Sequence, residues 1–150
     1  MMRRTLLVGW LVIILMATTF PWSDFKGHAH WGVVRWLPFS ELSRPSPSVL
    51  FDIGANIALF VPFGYLAVKA MNSATRSRFI ATVLLTLGLS SGIELYQVFS
   101  HNHVPSVTDV CSNAFGAAIG AYLAARRLRP SGRADRSVVT GGRYSHPTGS

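Results

Sequence analysis

Cysteine is nearly absent. Cys111 is the only one in the chain, so no intrachain disulfide can form and a cysteine-based zinc site is excluded. It falls in an apolar stretch, where a free thiol behaves as a small buried side chain. Charge is scarce too, at 13% of residues. No G-x-S-x-G elbow, Walker loop or dinucleotide fingerprint occurs, which leaves a hydrolase or nucleotide enzyme of those types without support. The basic excess, a formal net charge of +8, does not gather on one soluble face. Most arginines lie at the ends of apolar segments and in the C-terminal stretch, so a nucleic-acid-binding reading is rejected.

What the chain has in quantity is apolar sequence: 49% of residues are hydrophobic and mean hydropathy is +0.34. At 150 residues it is one domain at most. Four apolar segments, about 5–22, 49–71, 79–100 and 106–125, each approach the roughly 20 residues that span ~30 Å of hydrocarbon. The expected fold is all-α, an integral membrane bundle of four transmembrane helices occupying 1–125, with a long loop at 23–48. Residues 126–150 form a basic tail rich in Gly, Ser and Pro, expected to be disordered and cytoplasmic.

Positive charge sets the orientation. Arg3 and Arg4 precede the first segment, Arg76 and Arg78 lie in the short turn between the second and third, and six arginines follow the fourth. The long loop carries only Lys26, Arg35 and Arg44, and the 101–105 connection has neither Lys nor Arg. Both termini are therefore expected inside and both odd-numbered connections outside, in a multi-pass membrane protein. The first segment resembles a signal sequence in its basic start, but the following ATTFPW lacks an A-x-A site, so an uncleaved helix is expected. In the long loop, Trp31, Arg35 and Trp36, with Trp22, suggest a short amphipathic piece that anchors at the membrane surface instead of binding a ligand. Pro62 is expected to kink or locally unwind the second helix and free a carbonyl.

Within these segments lie three carboxylates, each followed one turn later by a carboxamide: Asp52 with Asn56, Glu94 with Gln97, Asp109 with Asn113. A carboxylate at mid-membrane costs roughly 2.5–3.5 kcal/mol on insertion scales. At 1.5 Å of rise per residue all three pairs fall roughly 5–10 Å inside the outer boundary. Ser90, Glu94, Gln97 and His101 share one helical stripe. Asp109, Asn113, Gly116 and Gly120 share another, and Gly116-x-x-x-Gly120 is a small-residue pattern that permits close helix contact. The short 101–105 connection makes the last two helices antiparallel neighbours and brings Glu94 towards Asp109.

Three readings fit this cluster. The polar pairs hold helices together and cap their ends, with Asp109 favoured by the helix dipole. Alternatively they line an outward-facing pocket that binds or transforms an envelope molecule, close carboxylates sharing a proton as general acid and base. The third reading is a proton or cation path, which the apolar inner halves of the helices weaken. His101-Asn102-His103 could add a divalent metal beside the carboxylates, though H-x-H alone is common and exposed loop histidines are the better account.

The stretches DIGANIALFVPFGY (52–65), SSGIELYQVF (90–99) and SVTDVCSNAFGAAIG (106–120) together resemble the VanZ-like family of small bacterial membrane proteins. The family is named for low-level resistance to the glycopeptide teicoplanin. The resemblance implies a cell-envelope protein of the bacterial inner membrane whose polar positions are Asp52, Asn56, Glu94, Gln97, Asp109 and Asn113. Members commonly carry an arginine in the loop before the last Asp-x-x-x-Asn, where this chain has His103. A titratable imidazole there replaces a permanent bidentate cation, which argues against carrying the resistance phenotype over.

The leading expectation is a protein that binds or modifies an outer-leaflet lipid or lipid-linked glycan. Asp52, Glu94 and Asp109 would be its acid–base or ligand groups, and Asn56, Gln97, His101, His103 and Asn113 its binding groups. The alternatives are a non-catalytic membrane scaffold or partner subunit and an ion conductor. Neither a cofactor nor an oligomeric state can be read from the sequence.

Overall fold

The computed structural model describes residues 1–71, 75–100 and 103–128. Four helices run through them: α1 (Met2–Thr19), α2 (Pro47–Ala70), α3 (Arg76–Val98) and α4 (Val107–Leu128), with short 3-10 turns at Trp22–Asp24, Trp31–Val33 and Ser40–Ser43 in the first loop. There is no named strand among the described residues. Residues 126–128, expected to begin the disordered tail, instead form the last turn of α4; the rest of the tail and its expected disorder lie outside the described residues, as do His101 and Asn102.

The helix limits differ from the hydropathy limits by one to three residues, for local reasons. Phe20, the residue before Pro21, is extended at φ −85° and ψ 143°, as the clash with a following proline ring favours, and α1 stops at Thr19. Ser46 accepts a hydrogen bond from the Val49 amide at 3.3 Å, and Pro47 occupies the first helical position, where its missing N–H costs nothing. Arg76 and Arg78 belong to the first turn of α3 and not to a separate basic turn; the Arg78 guanidinium donates to the Met71 carbonyl at the end of α2. Pro62 does not unwind α2, which stays helical through it. It has no N–H to offer the preceding turn, and in that turn the Trp10 indole of α1 donates to the Leu59 carbonyl at 2.9 Å.

The outside of the bundle is far more apolar than that of a protein folded in water, and polar side chains are buried beside its apolar core. Leu6, Val12, Leu50, Phe51, Leu84, Leu95, Phe115 and Leu123 point outward, while Thr82, Thr86, Ser90, Gln97, Ser112 and Asn113 are buried. Thr82 and Thr86 satisfy their hydroxyls on carbonyls four residues back. That pattern suits a hydrocarbon surround, and α1, α2 and α3 are long and apolar enough to cross a membrane. Helix α4 meets that standard less clearly, because its composition follows from its central position. Its Ser112, Asn113, Gly116, Ala117, Gly120, Ala121 and Ala124 are all buried.

Helices α2 and α4 make the closest contact in the bundle, and glycine permits it. A Cβ at Gly116 would overlap the Ile57 carbonyl, and one at Gly120 would overlap that of Val61. From the other side, Gly64 of α2 leaves no room for a Cβ against Ala117. The small-residue stripe read from the sequence is thus the packing surface.

Candidate functional site

A cavity of about 480 Å³ opens at the end of the bundle where α1 and α3 finish and α2 and α4 begin. Thr18 comes from α1, Asp52 and Asn56 from α2, Gln97 from α3, and Thr108 and Asp109 from α4. The first loop contributes Arg35 and Glu41, and the α3–α4 connection contributes His103, Val104 and Ser106. Spacing explains the helical part: four residues separate Asp52 from Asn56, which places both on one face of α2. The Asn56 amide is a hydrogen-bond partner of the Asp109 carboxylate, and Asp52, Glu41 and Arg35 all act on Asp109 through their charges.

The loop is stitched across the opening by its backbone. The amides of Lys26 and His30 donate to the carbonyls of Phe99 and Val98, each at 3.0 Å. Arg35 donates to the Pro105 carbonyl at 2.9 Å and accepts from the Val107 amide at 3.0 Å. Glu41 then fixes the loop by its side chain. Its carboxylate accepts from Thr108 Oγ1 at 2.9 Å, from Ser106 Oγ at 3.2 Å and from Arg35 Nη1 at 3.4 Å. Burial works to raise the Glu41 pKa, but its own backbone amide, Thr108, Ser106 and the Arg35 charge outweigh burial and hold it below the usual carboxylate range. Ser106 is also the cap of α4, its Oγ accepting from the Thr108 amide at 3.1 Å.

Of the residues singled out from sequence, Asp52, Asn56, Gln97, His103 and Asp109 line the cavity. Gln97 also donates to the Thr18 carbonyl at 3.0 Å, tying α3 to α1. Glu94 and Asn113 are not among the lining residues. Glu94 Oε2 accepts from the Ser106 amide at 2.7 Å, so it holds the start of α4 to α3, and the charge of Asp109 is felt there. Asn113 is buried between α3 and α4, where its amide donates to Ser90 Oγ at 2.8 Å. His101 lies outside the described residues, so the proposed His-x-His metal element has no described geometry. Among the described residues no group of three or more His, Cys, Asp or Glu is arranged to hold a metal ion.

Two residues were missed or misassigned in the sequence. Glu41 lies in a polar loop, outside every apolar segment, so the cost argument that flagged the other carboxylates did not reach it. Arg35, read as part of a surface anchor, lines the cavity instead. The neighbouring tryptophans remain exposed, Trp31 stacking on Trp36 with centroids 6.3 Å apart. The misassignment has a physical source: Arg35 and Trp36 are adjacent in an extended segment, and adjacent residues there point to opposite faces. Arg35 brings to the cavity a permanent cation, the kind of group missing at position 103.

One turn deeper, Ile14, Phe60, Phe63, Ile93 and Ala117 form a closed apolar cluster, one or two from each helix. The cavity is therefore a polar cup on an apolar floor. Its described groups can accept several hydrogen bonds at three carboxylates, of which Glu41 is already engaged by the loop, and donate at one guanidinium, one imidazole and two carboxamides.

A family model described as VanZ/LLP1 matches residues 5–128, a span that takes in all four helices and every lining residue of the cavity. No curated protein and no solved structure matches the chain.

Proposed function

The chain belongs to the VanZ-like family of membrane proteins, and from that premise we propose that it binds the head of a lipid or lipid-linked glycan of the outer leaflet in the cup formed by Asp52, Asn56, Gln97, Asp109, Arg35 and His103. The observation that carries this reading is the cavity. Its 480 Å³ is in the range of small-molecule sites, and it lies at one end of a bundle whose outside is apolar.

The outer-side assignment is supported by charge. Lys69, Arg76, Arg78, Arg126 and Arg127 all lie at the other end of the helices, where positive residues mark the cytoplasmic side. Glycopeptide tolerance is then one phenotype that such binding would produce, by holding or presenting an envelope intermediate. The apolar floor favours a binding cup over an ion path.

The test is copurification. The full chain is extracted in mild detergent, and bound lipids and glycans are identified by mass spectrometry for wild type and for Ala55→Phe, which fills the cavity from its rim. Wild type should carry a defined lipid or lipid-linked glycan that Ala55→Phe loses while melting at the same temperature. An identical complement of bound molecules in both proteins would refute the proposal.

One set of contacts favours a second reading, a scaffold whose polar pairs hold its helices together. Glu94 to Ser106, Gln97 to Thr18 and Asn113 to Ser90 each join two helices or a helix and a cap. On that reading, Ala55→Phe changes neither bound molecules nor partner capture.

A further inference from the structure

Charge in the cup is lopsided. Arg35 is the only guanidinium among the described lining residues, and its Nη1 is already paired with Glu41 Oε1 at 3.4 Å. Asp52 and Asp109 face the same space, with the neutral Asn56 as the side chain bonded to Asp109. Among the described residues no cationic side chain hydrogen-bonds either carboxylate. His103 is the remaining lining group able to carry positive charge. Two carboxylates acting on each other across one cavity are stabilised by a cation between them and destabilised by an anion. A bare inorganic cation would leave most of the 480 Å³ empty.

We infer that the occupant of this cup presents a primary ammonium group to Asp52 and Asp109, with the remainder of its polar head extending towards Arg35 and His103. The inference rests on the binding function proposed above and narrows it to a chemical class. A primary ammonium has three N–H donors and no acceptor, which matches two carboxylates and the Asn56 carboxamide oxygen. A quaternary ammonium carries the charge without the donors. A phosphate or pyrophosphate group alone has neither, and meets two like charges for one paired guanidinium. The shared chemistry has two sources in an envelope: an ethanolamine phospholipid, or an amino group on a sugar.

The experiment separates them. Full-length protein is reconstituted in nanodiscs of equal parts phosphatidylethanolamine, phosphatidylglycerol and phosphatidylcholine, and retained lipids are counted by native mass spectrometry. In parallel, protein in phosphatidylglycerol–phosphatidylcholine nanodiscs is melted with glucosamine or with N-acetylglucosamine. A lipid source gives about tenfold selective retention of phosphatidylethanolamine. A glycan source gives a higher melting temperature with glucosamine and none with its acetylated form. Either preference should vanish in Asp52→Asn, a position exposed at the start of α2 whose neutralisation leaves the packing untouched, and in Asp109→Asn.

Retention of phosphatidylglycerol or phosphatidylcholine equal to phosphatidylethanolamine, with glucosamine inert, overturns the inference. So does a preference that survives both substitutions. If the lipid retained is phosphatidylglycerol and Ala55→Phe releases it, the ammonium assignment fails while the binding cup stands. If nothing retained responds to Ala55→Phe, both fail.

Discussion

Glu41 accepts a hydrogen bond from Thr108 Oγ1 at 2.9 Å, joining positions 67 residues apart. Through it, and through Ser106 and Arg35, the first loop is bound to the start of α4 over the mouth of the cup. Removing the carboxylate leaves two hydroxyls and a guanidinium without their acceptor. Glu41→Ala should destabilise the protein by roughly 1.5–3 kcal/mol, the usual range for hydrogen bonds to a charged group, read as a lower melting temperature in detergent. It should also raise protease cleavage in 20–46. An unchanged melt would show that the loop is held by its backbone bonds alone.

The same carboxylate gives a pH dependence with a definite sign. Its pKa in the fold is lower than the ordinary 4.5, because the donors around it outweigh burial. The unfolded chain therefore binds the proton more readily than the folded one. The stabilisation is complete above about pH 4.5 and is lost as the pH falls through the lower folded value. The gap in melting temperature between wild type and Glu41→Gln should be constant from pH 7 to 5.5 and narrow between pH 4.5 and 3. A gap that widens on acidification would contradict the assignment.

Glu94 and Asp109 were paired in the sequence as equals, and their surroundings differ. Glu94 is engaged by the Ser106 amide at 2.7 Å, while Asp109 lines the cup. Glu94→Ala should cost stability, roughly 1–3 kcal/mol for a partly buried amide left without its acceptor. Asp109→Asn should melt near wild type yet lose bound ligand. Equal stability losses in the two variants would favour the scaffold reading.

Legibility from sequence followed the physical signal available. Apolar length exposed α1, α2 and α3, because hydrocarbon imposes a length on any helix that crosses it. The stripe of Gly116 and Gly120 was readable because close packing has a composition. The intramembrane carboxylates were readable because they are expensive. Glu41 and Arg35 carried no such mark. They come from a loop whose position over the bundle depends on backbone bonds to the α3–α4 connection, such as Arg35 to Pro105, and no local pattern encodes those pairings. Asn113 shows the converse error. Its phase placed it correctly on the inward face of α4, but inward there means towards Ser90 and not towards the cup.

The α2–α4 contact gives a prediction in which the same substitution changes sign with position. Gly120→Ala puts a methyl group onto the Val61 carbonyl, with backbone on both sides and nothing flexible to move. Overpacking of this kind costs roughly 1–3 kcal/mol or more, so the variant should melt lower or fail to assemble. Gly88→Ala and Gly92→Ala on α3 meet no heavy atom within 4 Å. There the change should be neutral or stabilising by up to about 1 kcal/mol, because alanine loses less backbone entropy in a helix. Parallel destabilisation at all three positions would show that backbone flexibility, not helix contact, is what glycine supplies.

Asn113 and Ser90 offer the last measurement. The Asn113 amide donates to Ser90 Oγ at 2.8 Å, while Asn113 Oδ1 and the neighbouring Ser112 Oγ are buried without a partner among the described residues. Interhelical hydrogen bonds in membranes are modest, averaging about 0.6 kcal/mol and reaching about 1.7. A double-mutant cycle over Asn113→Ala and Ser90→Ala should return a coupling within that range. The two unpartnered oxygens make a further, less obvious outcome follow. Asn113→Leu removes a polar group whose burial is only half compensated, so it should cost less stability than Asn113→Ala, which leaves a void as well. Because Asn113 lies below the cup and not in it, neither variant should alter ligand retention. Loss of ligand in Asn113→Leu at wild-type melting temperature would return this residue to the binding site that its sequence position first suggested.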